Sequence, residues 1–321
     1  MNNIELQEKF SKLSVLVVGD VYLDIDYIGG YSGYSREKEQ LPIFQVEEVK
    51  YSPGGAGNLA VCFSELGVNT TIAGYWGNGK DPNASILNDC LGSHHIDVGG
   101  MLIGNNTPTF GKVYLRNGQH IYRIDLIPKK VTQNMELDII NGNPTLLSLA
   151  SGVDFIACAD YEEVNEFGVC SKKVIETLNQ SMKVKFATSR CNMMRFKGYD
   201  YLIQNQKEVN DEGISLLNIS DYVKSELIVT NGGIGAKTYF ADTKNDIMSY
   251  SKELTENIDP CGCGDMFYAA YSSSVMSGYD TTISLQIANS AARVVVRKLF
   301  GTGQANCREI EKEYNILYME D

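Results

Sequence analysis

Positive charge, histidine and long apolar runs are all scarce in this 321-residue chain. Lys and Arg number 28 against 40 Asp and Glu, for a net charge of −12 at pH 7. Such an acidic balance argues against a nucleic-acid groove or an anionic membrane surface as the main partner. It leaves room for a phosphorylated small molecule, which a few local N–H groups and one cation can hold. The three histidines, His94, His95 and His120, furnish no clustered metal or triad motif. No apolar run approaches the roughly 18 residues of a membrane span. The polar segment Met1–Leu13, with Glu5 and Glu8, lacks the basic and apolar regions of a signal peptide. Eight cysteines are spread along a chain long enough not to need staples, which reads as reduced thiols in a cytoplasmic protein. Cys261 and Cys263 have no second pair or nearby His, so the spacing of a zinc site is missing.

What the chain does have is alternation. Ser14–Gly19 is a short β-branched run that reads as a buried parallel strand. Residues 69–74, 154–158, 183–187, 201–203 and 226–230 have the same character. Helix-like segments lie between them at 58–66, 84–91, 168–180 and 206–216, and again at 265–277 and 284–300. Strands alternating with helices predict an α/β fold with a largely parallel sheet. Segments at about 25–49 and 107–125 break the rhythm. The second alternates around Asn117-Gly118, a hairpin signal. Together they predict a small antiparallel sheet that serves either as a lid or as a plain surface hairpin.

The most informative stretch is Asp259-Pro260-Cys261-Gly262-Cys263-Gly264-Asp265, which runs straight into a helical pattern. Gly262 and Gly264 allow a tight turn with exposed N–H groups, and a helix N-terminus adds free donors and partial positive charge. Asp265 beside a bound anion is placed to take a proton from an attacking hydroxyl, a pattern that points to phosphoryl transfer to an alcohol. A simple helix cap is the competing reading. A second glycine-rich loop, Ser52-Pro-Gly54-Gly55-Ala56-Gly57-Asn58, lacks the Lys of a P-loop, and Asp20 and Asp24 stand where a dinucleotide fingerprint would have glycines. Asn58 and Asp24 could grip a sugar. Thr230-Asn-Gly232-Gly233-Ile-Gly235 follows a strand and suits either a nucleotide or a hairpin turn. Asn205 and Glu208, three apart, are hard oxygen ligands suited to magnesium, or a solvated helix end.

The order and spacing of these elements resemble the ribokinase, or PfkB, family of carbohydrate kinases across roughly residues 14–303. The pairing of the Gly54–Asn58 and Gly262–Asp265 elements is specific to that family. The resemblance implies one Rossmann-like domain over 1–321 with a small β-lid, using ATP and magnesium, and leaves open whether potassium also takes part. It implies Asp265 as the base and the N–H groups of Gly262, Cys263 and Gly264 as an anion hole. Asp24, Gly54, Gly55 and Asn58 would bind the sugar, and Asn205 and Glu208 would order the metal. Thr230, Gly232, Gly233, Gly235 and Asn289 would line the nucleotide site, and a homodimer through the lid is expected.

Within the family, Gly19–Asp24, the Ser35-Arg36-Glu37 stretch and Arg123-Ile124-Asp125 resemble the D-glycero-β-D-manno-heptose-7-phosphate kinases. Pro260 and Cys263 replace the family's usual Thr and Ala. Glu162-Glu163 after Asp160-Tyr161, and Ala187-Thr188-Ser189, replace stretches that carry lysines in the heptose kinases; Arg190 could supply a displaced positive charge. Kinases for other sugars or for nucleosides, and a sensor that binds without turnover, are the alternatives.

Overall fold

The computed structural model of the chain describes residues 3–104, 106–126, 138–142, 144–161, 168–243, 246–252, 254 and 258–319. In chain order the strands are β1 (Ser14–Gly19), β2 (Val21–Tyr34), β3 (Pro42–Gly55), β4 (Asn69–Trp76), β5 (Asp97–Ile103), β6 (Thr109–Leu115) and β7 (His120–Leu126). There follow β8 (Phe155–Asp160), β9 (Val184–Ser189), β10 (Tyr199–Asn205), β11 (Val223–Thr230), β12 (Gly235–Phe240) and β13 (Asp246–Tyr250). They form a nine-stranded sheet in the order β13-β12-β11-β10-β9-β8-β1-β4-β5 and a four-stranded sheet in the order β3-β2-β6-β7.

The large sheet is parallel from β5 through β11, with β12 and β13 added antiparallel at one edge. Its inner strands are buried on both faces because alternate side chains enter two separate cores. Val15 and Val17 of β1 pack with the helices Ala56–Glu65, Cys263–Met276 and Thr281–Val295. Leu16 and Val18 face the other core, with the helices Leu146–Ser151 and Lys172–Leu178. The α/β fold with a largely parallel sheet expected from the alternation is therefore present, with the small second sheet that the resemblance implies. No described helix is long and apolar enough to cross a membrane.

Several expectations are corrected in detail. The small sheet is mixed, since β2 pairs antiparallel with β3 but parallel with β6. The hairpin of β6 and β7 forms around Asn117-Gly118 as expected, with the Asn117 side chain accepting from the Gln119 N–H. The supposed loop at 52–58 is no loop: β3 runs to Gly55 and the helix starts at Ala56. The helix expected over 206–216 is the single turn-and-a-half Gln206–Asp211, because Gly213 adopts a left-handed φ of 64°. That over 168–180 narrows to Lys172–Leu178, started by the Ser171 cap. Helices Asn3–Phe10 and Cys307–Tyr318 were not expected. All eight cysteines are free of disulfides.

Candidate active site

A cavity of about 420 Å³ opens where the parallel strands end and the small sheet begins. Thr188, Asn205 and Thr230, at or near the ends of β9, β10 and β11, form one wall, the usual ligand position in an open α/β sheet. Asp24, Phe110, Lys112 and Arg123 from the small sheet form the opposite wall, and Cys261, Gly262, Gly264 and Asp265 the floor.

The floor follows from its sequence. The Asp259 carboxylate accepts from the Cys261 N–H (3.0 Å), and Gly262 takes a left-handed φ of 81° as the residue before the helix. Any side chain there would be strained, and a Cβ would press on the Gly303 carbonyl at 3.1 Å. The Cys263 N–H, one of the three amides expected in the anion hole, bonds the Pro260 carbonyl (3.2 Å). Among the described residues the N–H groups of Gly262 and Gly264 meet no backbone acceptor, and both glycines line the cavity.

Asp265 sits in the first helical turn at the cavity floor. The Tyr161 hydroxyl donates to its Oδ1 and the Asn58 side-chain amide to its Oδ2, the latter at 2.6 Å. Burial pushes its pKa up, while those two donors and the Arg190 guanidinium pull it back. The result is a carboxyl group more basic than an exposed aspartate, yet oriented by donors that favour its charged form.

Asn58, expected as a sugar contact, instead lies against the base in this structure. It is fully buried, outside the cavity lining, and holds Asp265, with Gln304 donating to its Oδ1 at 3.4 Å. Gly54 and Gly55 have packing reasons to be glycine. A Cβ on Gly54 would lie 2.9 Å from the Asp24 carboxyl carbon, and one on Gly55 would lie 2.3 Å from the Asp20 carbonyl oxygen at a φ of 58°. Asp24 does face the cavity, bonded by Lys112 Nζ at 3.0 Å. Lys112 also lies 3.2 Å from the Cys261 sulfur. Burial works against its charge, but the Asp24 carboxylate and the Cys261 thiol raise its pKa above the ordinary lysine value. The Cys261 thiol is itself pushed up by burial, and burial pushes that of Cys263 to about 12.

Asn205 and Glu208 form a reciprocal capping box: the Glu208 N–H donates to Asn205 Oδ1 and the Asn205 N–H to Glu208 Oε2, both at 2.8 Å. Both also line the cavity, and burial raises the Glu208 pKa. With its amide turned so that oxygen meets donor, Gln204 donates to Glu208 Oε2 at 2.9 Å and fixes that carboxylate from behind. No group of three or more His, Cys, Asp or Glu among the described residues could hold a metal by itself. Any magnesium would therefore draw most of its ligands from phosphate and water, which suits its chemistry.

Thr230 reaches the cavity, but Gly232, Gly233 and Gly235 lie beyond its lining. Gly232–Ile234 is a 3₁₀ turn joining antiparallel β11 and β12, and a Cβ on Gly235 would meet the Ser249 carbonyl at 2.2 Å. Asn289 is buried and donates to the Ser249 carbonyl (3.1 Å) and hydroxyl (3.0 Å), away from the cavity. Arg190 lines the cavity and stacks over the Tyr161 ring at 5.1 Å, so the end of β9 does carry a cation. Glu162 and Glu163 lie outside the described residues. Lys112, Tyr161 and Gln204 were not singled out as site residues from sequence. A lone lysine in an otherwise alternating strand was the only trace of the first, and Gln204 left none.

The sequence model of the pfkB family carbohydrate kinases matches residues 12–306, nearly the whole chain. The chain belongs to the pfkB family of carbohydrate kinases. By family it is thus a carbohydrate kinase. Two bifunctional HldE proteins are each 27% identical to it. That of Koribacter versatilis matches over 89% of this chain and 60% of its own length, and that of Haemophilus ducreyi over 94% and 64%. The kinase therefore spans somewhat under two thirds of the curated relatives it matches. Among solved structures, Arabidopsis thaliana ribokinase complexed with ribose and ATP aligns with a TM-score of 0.70 at 16% identity, covering 94% of this chain and 98% of that one. Escherichia coli phosphofructokinase-2, complexed with substrates and products, aligns at 0.75 and 14%, covering 95% and 99%. At such identities the structural likeness concerns the fold alone.

Proposed function

We propose that the kinase transfers the γ-phosphoryl group of ATP to a hydroxyl of a sugar phosphate, with D-glycero-β-D-manno-heptose 7-phosphate as the working substrate. The observation that carries the chemistry is Asp265, a donor-held carboxylate in a helix's first turn beside the open N–H groups of Gly262 and Gly264. An acceptor hydroxyl between them gives its proton to Asp265 as its oxygen attacks phosphorus. The amides and the helix N-terminus receive the charge that builds on the transferred group. Asp24 holds a sugar hydroxyl, Thr230 and the adjoining Gly232–Gly235 turn lie on the nucleotide side, and Asn205 and Glu208 orient water around magnesium. When bound, the metal neutralises phosphate charge. A phosphorylated acceptor is supported by Lys112, Arg123 and Arg190 in one cavity, and the heptose class by the HldE relatives.

The small sheet would close over bound substrates and exclude water. Tyr31, Tyr34, Ile43, Val46 and Tyr51 are exposed on its outer strands, and a homodimer through this sheet would cover them. Sedimentation of the protein against a Val46→Glu variant tests that contact.

The deciding experiment is magnesium-dependent ADP release over heptose phosphates, hexose phosphates, free sugars and nucleosides. Turnover confined to heptose phosphates supports the substrate. Turnover on another class keeps the kinase chemistry and replaces the substrate. Ala187-Thr188-Ser189, standing where the resemblance to heptose kinases implies Asp-Pro-Lys, gives that second outcome its weight.

A further inference from the structure

We propose that Tyr161 is the positioning residue of the phosphoryl-transfer base, its hydroxyl holding Oδ1 of Asp265 in the charged, correctly turned form. This deepens the proposed function and rests on Asp265 being the base. The geometry gives Tyr161 little freedom to do anything else. Its N–H donates to Asp20 Oδ2 at 2.9 Å, and its carbonyl accepts from the Tyr22 hydroxyl at 3.0 Å. Asp20 also accepts from the Val169 N–H at 2.7 Å, so the chain is pinned at Tyr161 and again at Val169. The Arg190 guanidinium covers the ring. The hydroxyl is thereby delivered from the end of β8 to Oδ1, the carboxylate oxygen that Asn58 does not bond.

A carboxylate offers about four lone-pair positions. Tyr161 takes one on Oδ1 and Asn58 one on Oδ2, which leaves one on each oxygen for the acceptor hydroxyl. Because a phenol donates a stronger hydrogen bond to a carboxylate than to a carboxylic acid, the contact opposes the effect of burial on the base. Several other groups bear on Asp265. Arg190 favours its charge, while Asp24, Cys62 and Cys263 oppose or are opposed by it. Glu208 faces Tyr161 itself. Of these, Tyr161 and Asn58 alone touch the carboxylate by a recorded hydrogen bond among the described residues.

The test compares Tyr161→Phe with the unaltered protein by two readouts. The first is the acid limb of kcat/KM, which moves up by about one pH unit when the donor is removed, with kcat at neutral pH down about tenfold and KM for ATP unchanged. The second needs no turnover. A carboxyl whose folded pKa is raised costs stability when charged, so Asp265→Asn melts higher at neutral pH, and that advantage fades as pH falls through the folded pKa of Asp265. In the Tyr161→Phe background the fade occurs about one unit higher. An unmoved fade overturns the proposal whether or not the protein phosphorylates a sugar. A moved fade without turnover on any acceptor supports the contact and counts against the kinase substrate reading. Should Tyr161→Phe fail to fold, 3-fluorotyrosine at position 161, a stronger donor of nearly the same shape, shifts the fade downward; an upward shift or none overturns the proposal.

Discussion

Two glycine-rich junctions meet at the cavity, and they use glycine for opposite reasons. At Gly54–Gly55 a strand passes directly into a helix, and the missing side chains make room for other protein atoms, the Asp24 carboxylate and the Asp20 carbonyl. At Gly262–Gly264 the second glycine faces emptiness: a Cβ on Gly264 would meet nothing within 4 Å. The first junction is filled space and the second is reserved space. Lys112 ties the two together, with Asp24 on one side and Cys261 on the other. The lesson is that the same residue type in the same kind of motif can mark packing or chemistry, and only its neighbours decide which.

Substitutions can break this contrast, and the largest effect is expected at the reserved junction. Asp265→Asn should lower kcat by about 10²–10⁴-fold, the range of a general base, while leaving the fold intact. ADP release and a thermal melt on the same preparation check both halves, and near-normal turnover would remove Asp265 from the chemistry. Next comes Lys112→Met, which strands the Asp24 carboxylate in a site where the pair is only 13% and 10% exposed. A loss of about 3 kcal/mol is expected in urea unfolding, since breaking a buried pair leaves an uncompensated charge. A loss below about 1 kcal/mol would mean that water reaches Asp24 freely enough to replace the lysine.

The glycines themselves sharpen the comparison further. Gly55→Ala should cost about 1–3 kcal/mol from backbone strain alone, because φ is 58° and the carbonyl of Asp20 blocks the new methyl. Gly264→Ala should instead stabilise the helix by up to about 1 kcal/mol. Its activity falls about tenfold or more, since the methyl enters the space where acceptor and phosphate meet. Equal stability losses in the two alanine variants would erase the distinction between filled and reserved space.

The parallel core was legible because β1 and β8 are short apolar runs whose both faces are buried, and such runs announce themselves. The small sheet was less so. Both faces of β3 are exposed along most of its length, and its mixture of Lys, Glu and Val reads as loop as readily as strand. The helical start at 262–265 was plain from its glycines and its carboxylate. What sequence could not convey was who touches Asp265, because Asn58 is 207 residues away and Tyr161 104. The amide of Asn58 suits a sugar by its chemistry, and in the fold its nitrogen bonds the base. Asn289 is a buried amide in a helix whose nitrogen is engaged by Ser249 and Tyr318. Asn205 and Glu208 fulfil both readings in part, as a capping box whose members also line the cavity.

Two of the connections between the four-stranded sheet and the core have no slack. A single residue, Asp20, separates β1 from β2, and none separates β3 from the helix that begins at Ala56. Insertions or deletions at either connection would shift alternate side chains of a paired strand to the wrong face. The bend at 35–41 and the turn at 116–119 carry no such constraint. Variation in chain length should therefore collect at those two outer tips, and grafted peptides should be tolerated there while the inner connections reject even one added residue.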